Sequence, residues 1–252
     1  MTHGREWRPS PSPRQERQRA ISTFALIHGA GVGGGWFWHL VEAELRSLGH
    51  TTVAPTLWTG DDTATLNDYA DTVVNTIDTQ DELFVVAHSF GGFTAPLVAE
   101  RLPTAGLIYV TAMIPRPGES PADWWSNTGH PEAVRIQAAK DGGLTGSSDP
   151  YVGYFHDVPK HLADQVSRRE PPPPSDSAYY EPWPLDTYPT TPTRYILCTE
   201  DRLFPAAFQR RLVRERLGIT PDEIASGHCP ALSRPTELAA MLNTFTPARN
   251  EA

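Results

Sequence analysis

From Ser22 onward, short apolar runs alternate with longer stretches whose apolar residues recur at helical spacing. Residues 23–27, 51–54, 83–86, 106–110 and 193–198 read as strands, with a weaker sixth at 223–225. Most of these runs are continuously apolar rather than alternating, as expected of strands buried on both faces of a parallel sheet. Helical spacing spans residues 36–48, closed by Gly49, and then about 66–79, where Leu66, Ala70, Val73, Val74 and Ile77 share one face. Further helices are expected after the 83–86 strand through Arg101, over 205–217, and over about 231–245. Strand–helix alternation of this kind places the chain in the α/β class, with a mostly parallel sheet covered on both faces.

The alternation breaks between Ile114 and about Thr191, where proline clusters, including residues 171–174, and glycine pairs separate weak helical signals near 121–126, 131–140 and 159–168. This block, residues 114–191, reads as a lid inserted above the carboxyl edge of the sheet, where such folds bind ligands. It divides the core into residues 21–113 and 192–252. Residues 1–20 carry Pro9, Pro11 and Pro13 among five arginines and almost nothing apolar, so a mobile tail is expected there.

Composition narrows the function classes. The net charge of −9 argues against nucleic acid or an anionic membrane as partner. No apolar stretch approaches the ~20 residues that span a bilayer, and the N-terminus lacks the apolar core of a secretory signal. Two cysteines, Cys198 and Cys229, are too few for a disulfide framework and form no CxxC pair. A cytoplasmic protein acting on a small molecule is expected, without metal or organic cofactor, and with a homodimer left open.

The chemistry concentrates at Ala87-His88-Ser89-Phe90-Gly91, a small-x-Ser-x-Gly pentapeptide between a buried strand and a helix start. That is the sequence form of a nucleophile elbow, in which a strained turn pushes the serine hydroxyl out over the sheet end. A serine needs a base in hydrogen-bond reach and a group to orient that base. His228, in the loop between the last weak strand and the final helix, is the candidate base; His130, His156 and His161 fall in the insertion and read as surface groups. Asp201, just past the 193–198 strand, is the candidate orienting acid, with Glu200 its nearest competitor. The other position for such an acid, after Tyr109-Val110, holds Thr111-Ala112-Met113 and offers no carboxylate. Backbone N–H groups of Phe90 and of Ala30, in the glycine loop 28–35, are the candidate oxyanion donors. That loop mimics a dinucleotide motif, but 51–57 lacks the acidic ribose partner.

These features resemble the α/β-hydrolase fold family over about residues 21–250. His28-Gly29-Ala30, Trp36-Phe37-Trp38 and the elbow look like its small esterases and hydroxynitrile lyases. The resemblance implies an eight-stranded, mostly parallel sheet with a lid, and the triad Ser89, Asp201 and His228. Hydroxynitrile lyases of that group carry Thr and Lys where this chain has Gly29 and Cys229, which favours ester hydrolysis over lyase chemistry. Gly29, Trp124, Trp125, Tyr154, Phe155 and Cys229 are the candidate pocket residues. The expected activity is that of a serine hydrolase cleaving a carboxylic ester. The alternatives are a natural-product tailoring enzyme (thioesterase, cyclase or non-hydrolytic) on the same triad, a C–C lyase, and a receptor-like binding protein.

Overall fold

The computed structural model describes residues 20–57, 60–78, 81–169 and 172–248. The expected N-terminal tail lies outside these residues except for Ala20. Six strands, β1 (Ser22–Ile27), β2 (Thr51–Val53), β3 (Glu82–His88), β4 (Gly106–Val110), β5 (Thr193–Cys198) and β6 (Asp222–Ile224), form one sheet in the order β2-β1-β3-β4-β5-β6. Every pairing is parallel. The eight strands implied by family resemblance are thus not present among the described residues. The apolar pattern holds six strand-length runs, and each forms a strand.

Period-two alternation sorts the strand side chains onto two faces. Ala25, Ile27, Val85, Leu107, Tyr109 and Leu197 join one buried cluster, while Phe24, Leu26, Val86, Ile108, Val110 and Ile196 join the other. The second face is covered by α1 (Gly34–Ser47) and, near the C-terminus, by α10 (Pro230–Ser233) and α11 (Pro235–Thr244). The first is covered by α2 (Leu66–Val74), α3 (Ala95–Arg101) and α9 (Ala206–Leu217). Both faces are therefore dry, which is why the strands are apolar throughout.

Helix boundaries follow local chemistry. Thr65 caps α2 in a capping box with Asp68, and α2 stops at Val74, earlier than its apolar spacing suggests; Thr79 lies outside the described residues. Pro205 precedes α9, and Gly218 ends it in the left-handed region at φ 68°. The helix expected over 231–245 is two helices, because Pro235 interrupts the backbone ladder at Arg234.

Between β4 and β5 the chain forms α4 (Pro121–Asn127), α5 (His130–Asp141), α6 (Pro150–Gly153), α7 (Lys160–Arg169) and α8 (Asp176–Tyr180). Side chains tie this segment to the sheet layers. The Trp124 indole donates to Ile114 O at 3.0 Å and the Trp183 indole to Phe93 O at 3.0 Å. A buried Arg216–Glu119 ion pair joins the root of the segment to α9.

Candidate active site

Five strands deliver residues to one edge of the sheet. His28 and Ala30 follow β1, Ser89 follows β3, Thr111 follows β4, Asp201 follows β5 and His228 follows β6. Parallel strands all present their carboxyl ends here, so loops distant in sequence converge by topology alone.

Ser89 adopts φ +50°, a left-handed conformation that is uncommon for a non-glycine residue and typical of strained functional turns. Its neighbours show why the turn needs glycine. A Cβ on Gly91 would lie 2.8 Å from His28 O, and one on Gly92 would lie 1.8 Å from Met113 O. The elbow is wedged between the end of β1 and the segment after β4, where the Met113 N–H donates to Ser89 O at 2.9 Å. The chain then runs through a short 3-10 helix, Ser89–Phe93, before α3 begins, instead of entering one continuous helix. Phe90 lies in the first turn of that helix.

The Ser89 hydroxyl donates to Nε2 of His228 at 3.0 Å, and Nδ1 of His228 donates to Oδ2 of Asp201 at 2.8 Å. Asp201 is buried and fully bonded. Oδ2 also accepts from the Thr111 hydroxyl at 2.5 Å, while Oδ1 accepts the N–H groups of Leu203 at 2.8 Å and Phe204 at 2.9 Å. Burial alone would raise its carboxyl pKa. Electrostatic attraction to the His228 ring and the hydrogen bond from it, with the Thr111 hydroxyl and the Phe204 N–H, outweigh burial and hold it below the ordinary carboxylate range. The competing Glu200 is exposed, and His156 Nε2 donates to its carbonyl at 3.0 Å.

Two more histidines hold the backbone around this relay. His28 Nδ1 donates to Gly29 O at 2.8 Å and Nε2 accepts from Leu57 N–H at 3.0 Å, so the ring is a neutral tautomer bracing the loop that carries Ala30. Burial lowers its pKa to about 4. His88 Nε2 donates to the carbonyl of His228 at 2.7 Å, and burial lowers its pKa to about 3. Asp157, ahead of α7, accepts from the Gly227 N–H at 2.8 Å and the Ser226 hydroxyl at 3.2 Å, which fixes the loop entering His228.

A cavity of about 350 Å³ opens beside Ser89, walled by Phe90, Met113, Trp125 and Tyr179. A second, of about 450 Å³, lies on the His228 side with Phe155, Val166 and Cys229 in its wall. Ala30 and Tyr154 line both. Two pocket candidates fall elsewhere. Trp124 is fully buried in the apolar core, packed at tilted and edge-on angles among His130, Phe204 and Phe208, because its indole bonds back to the end of the β4 loop. Gly29 lines neither cavity but lies against Ser89; a Cβ there would lie 2.6 Å from Ser89 Cβ.

His130, read from sequence as a surface group, is buried, and its Nε2 donates to Leu203 O at 2.8 Å. Thr111 and Asp157 were not singled out from sequence as site residues. A positive φ of +39° at Thr111 is a structural signal with no sequence counterpart. Among the described residues no three His, Cys, Asp or Glu side chains cluster to hold a metal ion, and no helix is long and apolar enough to cross a membrane.

The family model described as the alpha/beta hydrolase family matches residues 24–241. Methylesterase 7 of Arabidopsis thaliana is 27% identical over 251 residues, covering 87% of this chain and 94% of the relative. Methyl jasmonate esterase 1 of Vitis vinifera is 28% identical over 256 residues, covering 87% and 94%. The crystal structure of polyneuridine aldehyde esterase superposes with a TM-score of 0.71 at 22% identity, covering 89% of this chain and 99% of that one, a likeness of fold.

Proposed function

Since the chain belongs to the alpha/beta hydrolase family, we propose that it hydrolyses carboxylic esters through an acyl-enzyme formed on Ser89. The unbroken relay from the Ser89 hydroxyl through His228 to Asp201 carries this reading. Relatives named as methylesterase and methyl jasmonate esterase support it.

His228 Nε2 takes the Ser89 proton as Oγ attacks the ester carbonyl. The imidazolium that forms is stabilised by Asp201, whose carboxylate is already locked by its other donors. The N–H groups of Phe90 and Ala30 bind the oxyanion, an arrangement in which each donor supplies about 3 kcal/mol. His228 returns the proton to the leaving alkoxide and the alcohol departs. Water then attacks the acyl-enzyme with His228 as base, releasing the acid and restoring Ser89. The segment 114–191 acts as a lid, contributing Trp125, Tyr154 and Tyr179 to the cavity walls. Lyase chemistry of the related group is disfavoured, because no side chain fits at Gly29 without displacing Ser89.

The test is turnover of short-chain p-nitrophenyl esters by wild type and Ser89→Ala. Loss of at least ~10³-fold in kcat is expected; retained turnover overturns the assignment.

A further inference from the structure

The two cavities divide the ester between them, and the chemistry of the relay says which half goes where. This inference rests on the ester-hydrolase reading above. During acylation the carbonyl carbon sits on Ser89 Oγ, so the acyl substituent occupies the cavity that Ser89, Phe90 and Met113 line. The leaving oxygen must receive its proton from Nε2 of His228. The alcohol half therefore projects past the imidazole, into the cavity whose wall includes His228 but not Ser89.

That second cavity is too large for a small alcohol. A cavity of about 150 Å³ holds a benzene ring, and a water molecule occupies about 30 Å³. At about 450 Å³, the space fits a ring-bearing group, whereas a methoxy group would leave most of it unfilled. Its surface is mainly apolar, from Val32 to Phe155 and Val166, and among the described residues no Asp, Glu, Lys or Arg lines it. A charged alcohol would lose its hydration there without gaining a partner. By contrast, the Ser89-side cavity includes Asp176 in its wall, which disfavours a second negative charge on the acid half. We propose that the His228-side cavity is an alcohol subsite and that the enzyme takes neutral esters of bulky, uncharged, apolar alcohols of benzylic size or larger, in preference to methyl esters.

Ser167 offers a way to close this subsite. It lies on α7 in the cavity wall, it is exposed, and among the described residues its hydroxyl bonds only back to Ala163 O within the helix. A bulkier side chain there intrudes on the cavity without disturbing the relay.

The experiment uses methyl, benzyl and 2-naphthylmethyl phenylacetates, which share an acyl group and have alcohols of similar leaving ability. Wild-type kcat/KM should be at least about 10-fold higher for the benzyl and naphthylmethyl esters than for the methyl ester, the discrimination that a few buried carbons provide. Ser167→Trp should bring those ratios close to one. Stopped-flow bursts with p-nitrophenyl phenylacetate then isolate hydrolysis of the phenylacetyl-enzyme, from which the alcohol has already left; the defect should fall on acylation and not on this step. A wild-type ratio near one overturns the subsite, and so does slowed deacylation in Ser167→Trp, which would put the acid in this cavity. The wild-type series decides even where the tryptophan variant fails to fold. Absence of any phenylacetyl adduct on Ser89 is a separate failure, since it removes the ester-hydrolase reading itself.

Discussion

Replacing Asp201 with asparagine isolates what the carboxylate does. Oδ1 accepts two backbone N–H groups, from Leu203 and Phe204, so the amide oxygen will occupy that position. The amide nitrogen must then take the place of Oδ2, which in the native protein accepts from His228 Nδ1 and the Thr111 hydroxyl. An N–H facing Nδ1 forces the imidazole into the opposite tautomer, with its proton on Nε2. In that state Nε2 donates toward Ser89 and cannot take its proton. A reversed tautomer at a triad of this kind costs about 10⁴-fold in kcat, or about 5 kcal/mol of transition-state stabilisation. The fold should tolerate the change, because all four hydrogen-bond positions around the side chain keep a complementary partner once the imidazole takes the opposite tautomer and the Thr111 hydroxyl rotates to accept. Steady-state kinetics on p-nitrophenyl acetate, with circular dichroism to confirm folding, measures the effect. Glu200→Gln is the control: Glu200 is exposed and lines neither cavity, and less than a threefold loss is expected. A folded Asp201→Asn enzyme within tenfold of wild type would refute the tautomer argument. So would a Glu200→Gln enzyme with the larger defect.

Thr111→Val removes one donor from Asp201 while keeping the shape of a β-branched side chain. A hydrogen bond to a buried charge is worth about 1.5–3 kcal/mol, so urea denaturation should show a loss of that order and Thr111→Ser should restore it. Asp157→Ala leaves the Gly227 N–H without its acceptor and lets the His228 loop drift. A fall in kcat of about tenfold is expected, with Asp157→Asn recovering most of it and KM little changed in either. Acid stability follows from His28, buried and neutral with its pKa lowered from 6.5 to about 4. Above pH 6.5 both folded and unfolded states leave this ring neutral, and its contribution is fully present. As pH falls from 6.5 toward 4 the unfolded chain takes up a proton that the folded chain refuses, so stability declines by about 3 kcal/mol. Urea midpoints at pH 7, 5.5 and 4.5 should fall in that order; His28→Gln should make the fall shallower without abolishing it, because buried His88, with its pKa lowered to about 3, gives a decline of the same sign.

Much of this site was legible in the sequence because backbone geometry forces residue type. Continuous apolar runs marked strands buried on both faces, and each of the six formed. Gly91 and Gly92 marked the elbow, because neighbouring backbone leaves no space for a Cβ. Asp201 and Glu200 stand side by side past β5, and the structure buries the first and exposes the second. What stayed hidden was tertiary. In the sequence Thr111 marks only a place without a carboxylate, yet its hydroxyl supports the carboxylate arriving from the neighbouring strand. His130 sits in an irregular stretch and reads as polar surface. Its burial depends on Trp124 and Trp125 of α4 meeting Phe204 and Phe208 from beyond β5. Likewise, nothing in the local sequence of Asp157 reveals that Gly227, 70 positions later, lies within bonding distance.

The proposed mechanism requires the Ser89 hydroxyl to be a nucleophile at neutral pH. Treatment with a fluorophosphonate followed by peptide mass mapping tests it directly, since only an activated serine in an assembled site reacts rapidly. A single adduct on the peptide containing Ser89, abolished in both Ser89→Ala and His228→Ala, is the expected result. No adduct, or one on a different serine, would contradict the account.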